Sequence, residues 1–329
     1  MFKDLLERAI EFNVSDVHIT TNDYVAFRRN KTIERQSEMY NHDQVLEIVK
    51  LLAKERFDLL FEHKQLDLGG SVYGIRYRAN VYYQRGDLAI AIRIINNELP
   101  SFDDLGLPHQ LLDFVKRDHG LILVTGPTGA GKSTTLAAMI TEINEEFNKH
   151  IITIEDPIEY VFKNDKSIIH QREIGADLVS FEEGLRSVLR QDPDVIMLGE
   201  LRDKLSTNTA LKASETGHLV ISTLHTSDVK STINRIIGIY GSDEVQTIRK
   251  LLADSLIAIV SQTLIKRKDG EGVVPAFEIM VNTTATANLI RKGESGQIDS
   301  YLMMDQKIGS KPMEKSIEEL VNQGIINRQ

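Results

Sequence analysis

Residues 121–135, LILVTGPTGAGKSTT, join an apolar run to a glycine-rich turn and a run of small polar residues. They satisfy the pattern G-x-x-x-x-G-K-[ST] with Gly126, Gly131, Lys132 and Ser133, between a predicted strand and a predicted helix. Glycines let successive backbone N–H groups turn toward a phosphate chain, and the helix N-terminus adds partial positive charge. A glycine-rich turn that binds nothing is the alternative, and the strand-to-helix context favours nucleotide binding.

The residues expected to bind ATP follow from this loop. They are Thr128, Gly129, Ala130, Gly131, Lys132, Ser133 and Thr134. We expect Lys132 to reach the β- and γ-phosphates and Ser133 to ligate Mg²⁺.

Apolar runs and helical patterns alternate through most of the chain that follows. Strands are predicted at 121–125, 151–154, 195–198 and 219–223, and helices at about 132–147, 181–190 and 207–216. This alternation predicts an α/β domain with a mostly parallel sheet covered by helices. Beyond residue 283 the chain is predicted helical, with one apolar face ended by Gly324 and formed by Met313, Ile317, Leu320 and Val321.

Acidic residues follow two of the predicted strands. Glu200 stands just past the run 195–198, at the sheet edge where open α/β sheets bind ligands. Gly199 occupies the usual place of a metal-organising aspartate, so Glu200 is the candidate for organising Mg²⁺. Pairing with Arg202 is the structural alternative.

Residues 151–160, IITIEDPIEY, end a predicted strand with three carboxylates, Glu155, Asp156 and Glu159. ATP hydrolysis needs a group that orients or deprotonates the attacking water. Spacing alone does not choose the base among the three, and the Asp-Pro pair could equally be a simple turn.

The first hundred residues are predicted to form an α+β domain containing a β-hairpin. Apolar residues alternate through 72–95, and a turn at Arg85-Gly86 pairs every apolar residue with an apolar partner. The same register sets Arg78 opposite Arg93. Two like charges directly opposed in a sheet are unfavourable unless an anion lies nearby. The alternative interpretation is that both arginines are solvated and splay apart. A hydrolytic transition state also attracts arginine from a neighbouring subunit, a role that would suit this pair.

Two histidines flank the predicted strand within residues 217–226, GHLVISTLHT. They could bind a metal, relay a proton or sit in hydrogen-bonded pockets. A metal site is disfavoured because cysteine is absent and no further ligands are near. His225 lies on the ligand side of the strand and is predicted to sense the γ-phosphate. His218, at the other end, is predicted to reach an interface or a neighbouring element.

Composition sets the class of protein. The chain has 329 residues, enough for two domains, with 41% hydrophobic and 26% charged residues. No apolar run approaches the roughly 20 residues that span a bilayer, and residues 1–10 lack a signal-peptide core. The absence of cysteine and the formal charge of −9 predict a cytoplasmic protein with no general affinity for nucleic acid.

Four motifs together resemble the secretion and type IV pilus ATPases. In that family's order of Walker A, Asp box, Walker B and His box they are GPTGAGKSTT at 126–135, IEDPIEY at 154–160, DPDVIMLGELRD at 192–203 and GHLVISTLHTSD at 217–228. Shorter matches are SDVHI at 15–19, YRANVY at 77–82, AIRII at 91–95 and SQTLIKR at 261–267. The likeness covers nearly the whole chain and is nearest to the ATPases that retract pili.

The resemblance implies a smaller PAS-like α+β domain at 1–98, a linker at 99–108 and a RecA-like P-loop ATPase domain at 109–329. It implies a homohexamer with ATP and Mg²⁺ at subunit interfaces, acting on an inner-membrane platform protein from the cytoplasmic face of the inner or plasma membrane. Such a protein is peripheral to the membrane, not inserted. Carried over by motif, the catalytic roles fall to Glu159, Glu200, Lys132, Arg78, Arg93, His225 and His218, and the metal ligands are Ser133 and Glu200.

The chain departs from the family pattern in three places. The usual AIRNLIRE reads ATANLIRK at 285–292, the usual Glu-Thr after Walker B reads Leu205-Ser206, and Asn208 stands where arginine is frequent. The alternatives to retraction are an assembly-type motor of a pilus, type II secretion or competence system, a nucleotide-gated scaffold without turnover, and a nucleic-acid translocase. The lack of a cysteine-based zinc site and of a long N-terminal extension favours retraction.

Overall fold

The structure, a computed structural model, describes residues 1–29, 32–95, 101–270 and 272–327. Within it the chain forms two compact units, Met1–Glu98 and Leu99–Gln329. The first two residues of the linker predicted at 99–108 lie outside the described residues. None of the described helices is both long and apolar enough to cross a membrane.

The first unit is one antiparallel sheet with helices. Its sheet has the order β3-β2-β1-β6-β5-β4. Its elements are α1 (Phe2–Glu11), β1 (Asp16–Thr20), β2 (Tyr24–Arg29), β3 (Thr32–Met39), α2 (His42–Ala53), α3 (Leu59–His63), β4 (Gln65–Val72), β5 (Ile75–Gln84) and β6 (Asp87–Ile95).

The β5–β6 hairpin has the register expected from its sequence. Tyr83 faces Leu88, and further along the ladder Arg78 faces Arg93. Arg85 and Gly86 at the turn have φ of 51° and 85°, the positive values that suit a tight two-residue hairpin turn. The apolar partners of the two strands pack into the core of this unit, as a one-sided sheet requires.

The second unit is a seven-stranded sheet with helices, in the order β13-β12-β7-β11-β10-β8-β9. Its strands are β7 (Gly120–Thr125), β8 (His150–Glu155), β9 (Ile168–Glu173), β10 (Val195–Leu198), β11 (Leu219–Leu224), β12 (Leu256–Lys266) and β13 (Val273–Val281). Its helices are α4 (Gln110–Val115), α5 (Lys132–Glu146), α6 (Phe181–Val188), α7 (Lys204–Glu215), α8 (Val229–Gly238), α9 (Val245–Ser255), α10 (Thr284–Lys292), α11 (Ile298–Met304) and α12 (Met313–Asn322).

Both faces of this sheet are covered. Along β7, Leu121 and Leu123 join one hydrophobic core, whereas Ile122 and Val124 join another. Successive side chains of a strand point to opposite faces, so the two cores lie on opposite sides of the sheet. The expected α/β class, with a mostly parallel sheet, is confirmed.

Two parts of this unit differ from the sequence-based expectation. Strand β9 and the antiparallel β12–β13 hairpin extend the sheet at its two edges and were not predicted. Helix α7 begins at Lys204 and not near 207, because the Asp203 side chain accepts the Ser206 N–H at 2.8 Å and caps the helix three residues earlier.

Candidate nucleotide site

The carboxyl ends of the parallel strands surround a cleft of about 620 Å³. The loop before α5, the segment after β8 and the ends of β10 and β11 form its walls. Every residue predicted to bind ATP lines this cleft, and so do Glu159, Glu200 and His225. The sheet edge thus brings these predicted site residues together from segments about a hundred residues apart.

The phosphate-binding loop is held in shape by strand β12. Gly126 has φ of 150°, and a Cβ atom there would stand 2.3 Å from the Gln262 carbonyl oxygen. The Gln262 side chain donates to the carbonyl of Ala130 at 2.6 Å. Gly131, with φ of 84°, is the N-cap of α5. The loop therefore has the glycine-dependent cradle at a helix N-terminus that a phosphate chain requires.

Lys132 is nearly buried, and the loop's own carbonyl groups hold its ammonium group. Its Nζ donates to the carbonyl oxygens of Gly126 at 2.8 Å and Pro127 at 3.1 Å. Burial lowers the pKa of Lys132, and the carboxylates of Glu200 and Glu159 oppose that shift. Both carboxylates line the same cleft as this lysine.

Glu200 is shared between two partners. Its carboxylate accepts from Arg202 Nε at 2.8 Å, and Arg202 Nη1 also donates to Asp156 at 3.2 Å. The other oxygen of Glu200 is 3.6 Å from His225 Nε2, and His225 Nδ1 is 3.4 Å from Lys132 Nζ. A series of polar contacts therefore runs from the acidic segment to the phosphate-binding loop. Glu200 pairs with Arg202 and also lines the cleft, so its two predicted alternatives occur together.

Ser133 and Glu200, the residues predicted to hold Mg²⁺, both line the cleft. In the described part of the chain no three histidine, aspartate or glutamate side chains form a metal cluster of their own. Magnesium typically takes one or two protein oxygens and completes its shell with water and substrate phosphates, and this pair of residues fits that pattern.

The three carboxylates of the acidic segment have different surroundings. Glu155 is buried, accepts from Thr153 Oγ1 at 2.6 Å, and has a pKa raised by that burial. Asp156 pairs with Arg202. Glu159 is exposed, lines the cleft and forms no ion pair with any described residue. Among the three, Glu159 is thus the carboxylate that is neither buried nor paired with a cation in the described part of the chain.

His218 lies away from this cleft, at the amino end of β11. Its Nδ1 is 3.0 Å from the carbonyl oxygen of Ala213, and its own carbonyl accepts from Gly120. These contacts fill a local structural role, and a catalytic role for His218 stays a prediction.

The hairpin arginines, which lie in the first unit, are not equivalent. Arg93 Nε donates to Asp16 at 2.9 Å, and Arg28 lies 3.9 Å from the same carboxylate. Arg78 is exposed and has no ion pair within the described residues. Asp16 was absent from the sequence-based interpretation because β1 meets β6 only through sheet pairing 77 residues apart.

The likeness to known proteins extends over nearly the whole chain. The family model described as "Type II/IV secretion system protein" matches residues 1–323. An uncharacterized Escherichia coli protein, YggR, is 38% identical over 324 residues, which are 98% of each chain. The type IV pilus retraction ATPase PilT of Pseudomonas aeruginosa is 37% identical over 329 residues, 99% of this chain and 95% of the relative. A crystal structure of the pilus retraction motor PilT with bound ADP superposes with a TM-score of 0.92 at 43% identity, covering 98% of this chain and 94% of that one.

Proposed function

Because the chain belongs to the family of type II/IV secretion system proteins, we propose that it is an ATPase motor that retracts type IV pili. The observation that carries the proposal is the convergence of Lys132, Glu159, Glu200 and His225 on one cleft beside a phosphate-binding loop. Similarity to PilT in both sequence and structure supports retraction as the work that ATP hydrolysis drives.

Each of these residues of the cleft has a separate role in the proposed reaction. The loop amides and Lys132 bind the phosphates of ATP, and Glu159 orients or deprotonates the attacking water. His225, between Glu200 and Lys132, is placed to respond to the γ-phosphate. Ser133 and Glu200 would hold Mg²⁺, which when bound would supply charge that neutralises the phosphate oxygens.

Transition-state charge needs cations beyond the loop lysine. We assign this role to Arg78 and Arg93 of a neighbouring subunit in a homohexamer, with His218 at a subunit interface. ATP then draws the neighbour's first unit inward, and hydrolysis releases it, so that the ring changes shape in sequence. The partner is an inner-membrane platform protein, met at the cytoplasmic face of the inner or plasma membrane.

The activity arm of the test compares the wild type with Glu159→Gln. The substitution keeps the size of the side chain but removes the carboxylate base, so steady-state turnover should fall by about 100-fold or more while ATP still binds. Equal slow turnover in both proteins would favour a nucleotide-gated scaffold. Stimulation of turnover by DNA would instead favour a nucleic-acid translocase.

The cellular arm separates retraction from assembly. Deleting the gene and imaging surface filaments should reveal excess pili that do not retract. Bald cells would mean that the protein assembles filaments, as the motors of pilus assembly, type II secretion and competence systems do.

A further inference from the structure

The backbone that carries Glu159 is fastened to the side chains of edge strand β9. Gln171 donates from Nε2 to the Tyr160 carbonyl at 2.7 Å and accepts the Phe162 N–H at 2.9 Å. Two residues along the same face of β9, Glu173 accepts the Ile158 N–H at 3.1 Å. Side chains of alternate residues of one strand therefore secure the segment on both sides of Glu159.

A second contact of Gln171 extends this network to Glu159 itself. Its Nε2 also donates to buried Glu155, at 3.2 Å, and that carboxylate is fixed by Thr153. The backbone N–H of Glu159 donates to the same carboxylate. Gln171 thus contacts Glu155, whose carboxylate accepts from the Glu159 backbone, and also the carbonyl of Tyr160, the residue after Glu159.

The segment is also tied to the phosphate-binding helix. The hydroxyl groups of Tyr160 and Thr134 are 2.9 Å apart, and Thr134 is two residues beyond Lys132 in helix α5. These contacts with β8, β9 and α5 restrict movement of the Glu159 backbone relative to the phosphate-binding loop. Its side chain lines the same cleft as Lys132.

We infer that Gln171 is a positioning residue, which acts through the Glu159 segment together with Glu155 to aim the Glu159 carboxylate at the attacking water. The inference rests on the proposed function and deepens it. A shift of about 1 Å in a reacting group can cost about 100-fold in rate, so the loss of these hydrogen bonds should reduce turnover without weakening nucleotide binding.

The first test is Gln171→Ala in the full-length protein. We expect kcat to fall by about 10- to 100-fold, while the KM for ATP and the Kd for ADP stay within about twofold. Gln246→Ala, at an exposed glutamine of α9, is the matched control and should keep wild-type kinetics. Wild-type kcat in folded Gln171→Ala would overturn the inference, and so would an equal loss in the control.

Gln171→Glu serves if the alanine variant fails to fold. It keeps the length and shape of the side chain but, when ionised, donates no hydrogen bond to the Tyr160 carbonyl or to Glu155. Its kcat should also fall with ADP affinity retained, whereas wild-type kcat would overturn the inference.

A double variant separates this inference from the proposed function. In a Glu159→Gln background Gln171→Ala should have almost no further effect, because residues that act as one unit are strongly non-additive. A further loss by the same factor would show that Gln171 acts independently of Glu159 and would overturn the positioning role. Wild-type turnover in Glu159→Gln alone would overturn the proposed function itself.

Discussion

The glycines of the phosphate-binding loop differ in the space around them. Gly126 and Gly129 both have positive φ, at 150° and 80°, but only Gly126 faces a neighbouring backbone atom. A Cβ atom at Gly129 would meet nothing within 4 Å. Substitution of these two residues therefore distinguishes conformational strain from collision.

Gly126→Ala should destabilise the nucleotide-free protein by at least about 3 kcal/mol, because strain and a clash with β12 add. Gly129→Ala should cost only about 1 to 2 kcal/mol, the strain of a left-handed backbone. Chemical unfolding of the ATPase unit measures both. Equal losses would contradict the role given to the close approach of Gln262.

Side chains that act across long sequence distances were the ones that sequence reasoning missed. The phosphate-binding loop was predictable because its glycines, lysine and strand-to-helix context lie within 15 consecutive residues. Gln262 supports that loop from more than 130 residues away, and a single sequence gives no signal of that contact. Gln171 is nearer to the acidic segment, but it belongs to a strand that was not predicted.

Among the elements, hairpin β5–β6 was predictable to the residue. Its strands are adjacent in the chain, and the turn and the apolar alternation together allow one register. The β12–β13 hairpin was missed although the Asp269-Gly270 pair offers a turn signal. Its strands join a parallel sheet, and the helix–strand alternation before them gave no reason to expect an antiparallel edge.

The hairpin arginines give the prediction at the scale of this element. Arg78→Ala and Arg93→Ala should each lower ATP turnover by about 10-fold or more if they contact a transition state. Loss of the exposed Arg93–Asp16 pair should cost no more than about 1 kcal/mol of stability, and Arg78→Ala should cost less. Turnover and melting temperature are measured together. Intact activity in both variants would contradict a catalytic role for the hairpin.

At the scale of the whole molecule, the order of motifs indicated the family, and the match over residues 1–323 confirms it. The hexameric assembly stays a proposal, because a single chain contains only one side of each interface between subunits. The proposed ring therefore needs an experiment in which the subunits are distinguishable.

Mixing two variants with reduced turnover provides that experiment. Arg78→Ala subunits keep Glu159, and Glu159→Gln subunits keep Arg78, so a mixed ring contains some interfaces with both residues intact. Mixtures should turn over ATP faster than the average of the two variants measured alone, because only mixed rings contain interfaces with both residues intact. No recovery in mixtures whose subunit exchange is verified would contradict arginine donation between subunits.

The β12–β13 hairpin also has a mechanical consequence. On β12 the Gln262 side chain donates to the phosphate-binding loop. On β13 Glu278 accepts the N–H of Val229, which follows His225 by four residues, at 2.7 Å. On the outer strand the Phe277 N–H donates to Ser316 of α12 at 3.0 Å. The hairpin therefore contacts the phosphate-binding loop through β12, and the start of α8 and helix α12 through β13. A force applied to α12 would therefore reach both nucleotide-facing segments through the same hairpin, and such a connection would allow load on the protein to alter its ATP chemistry.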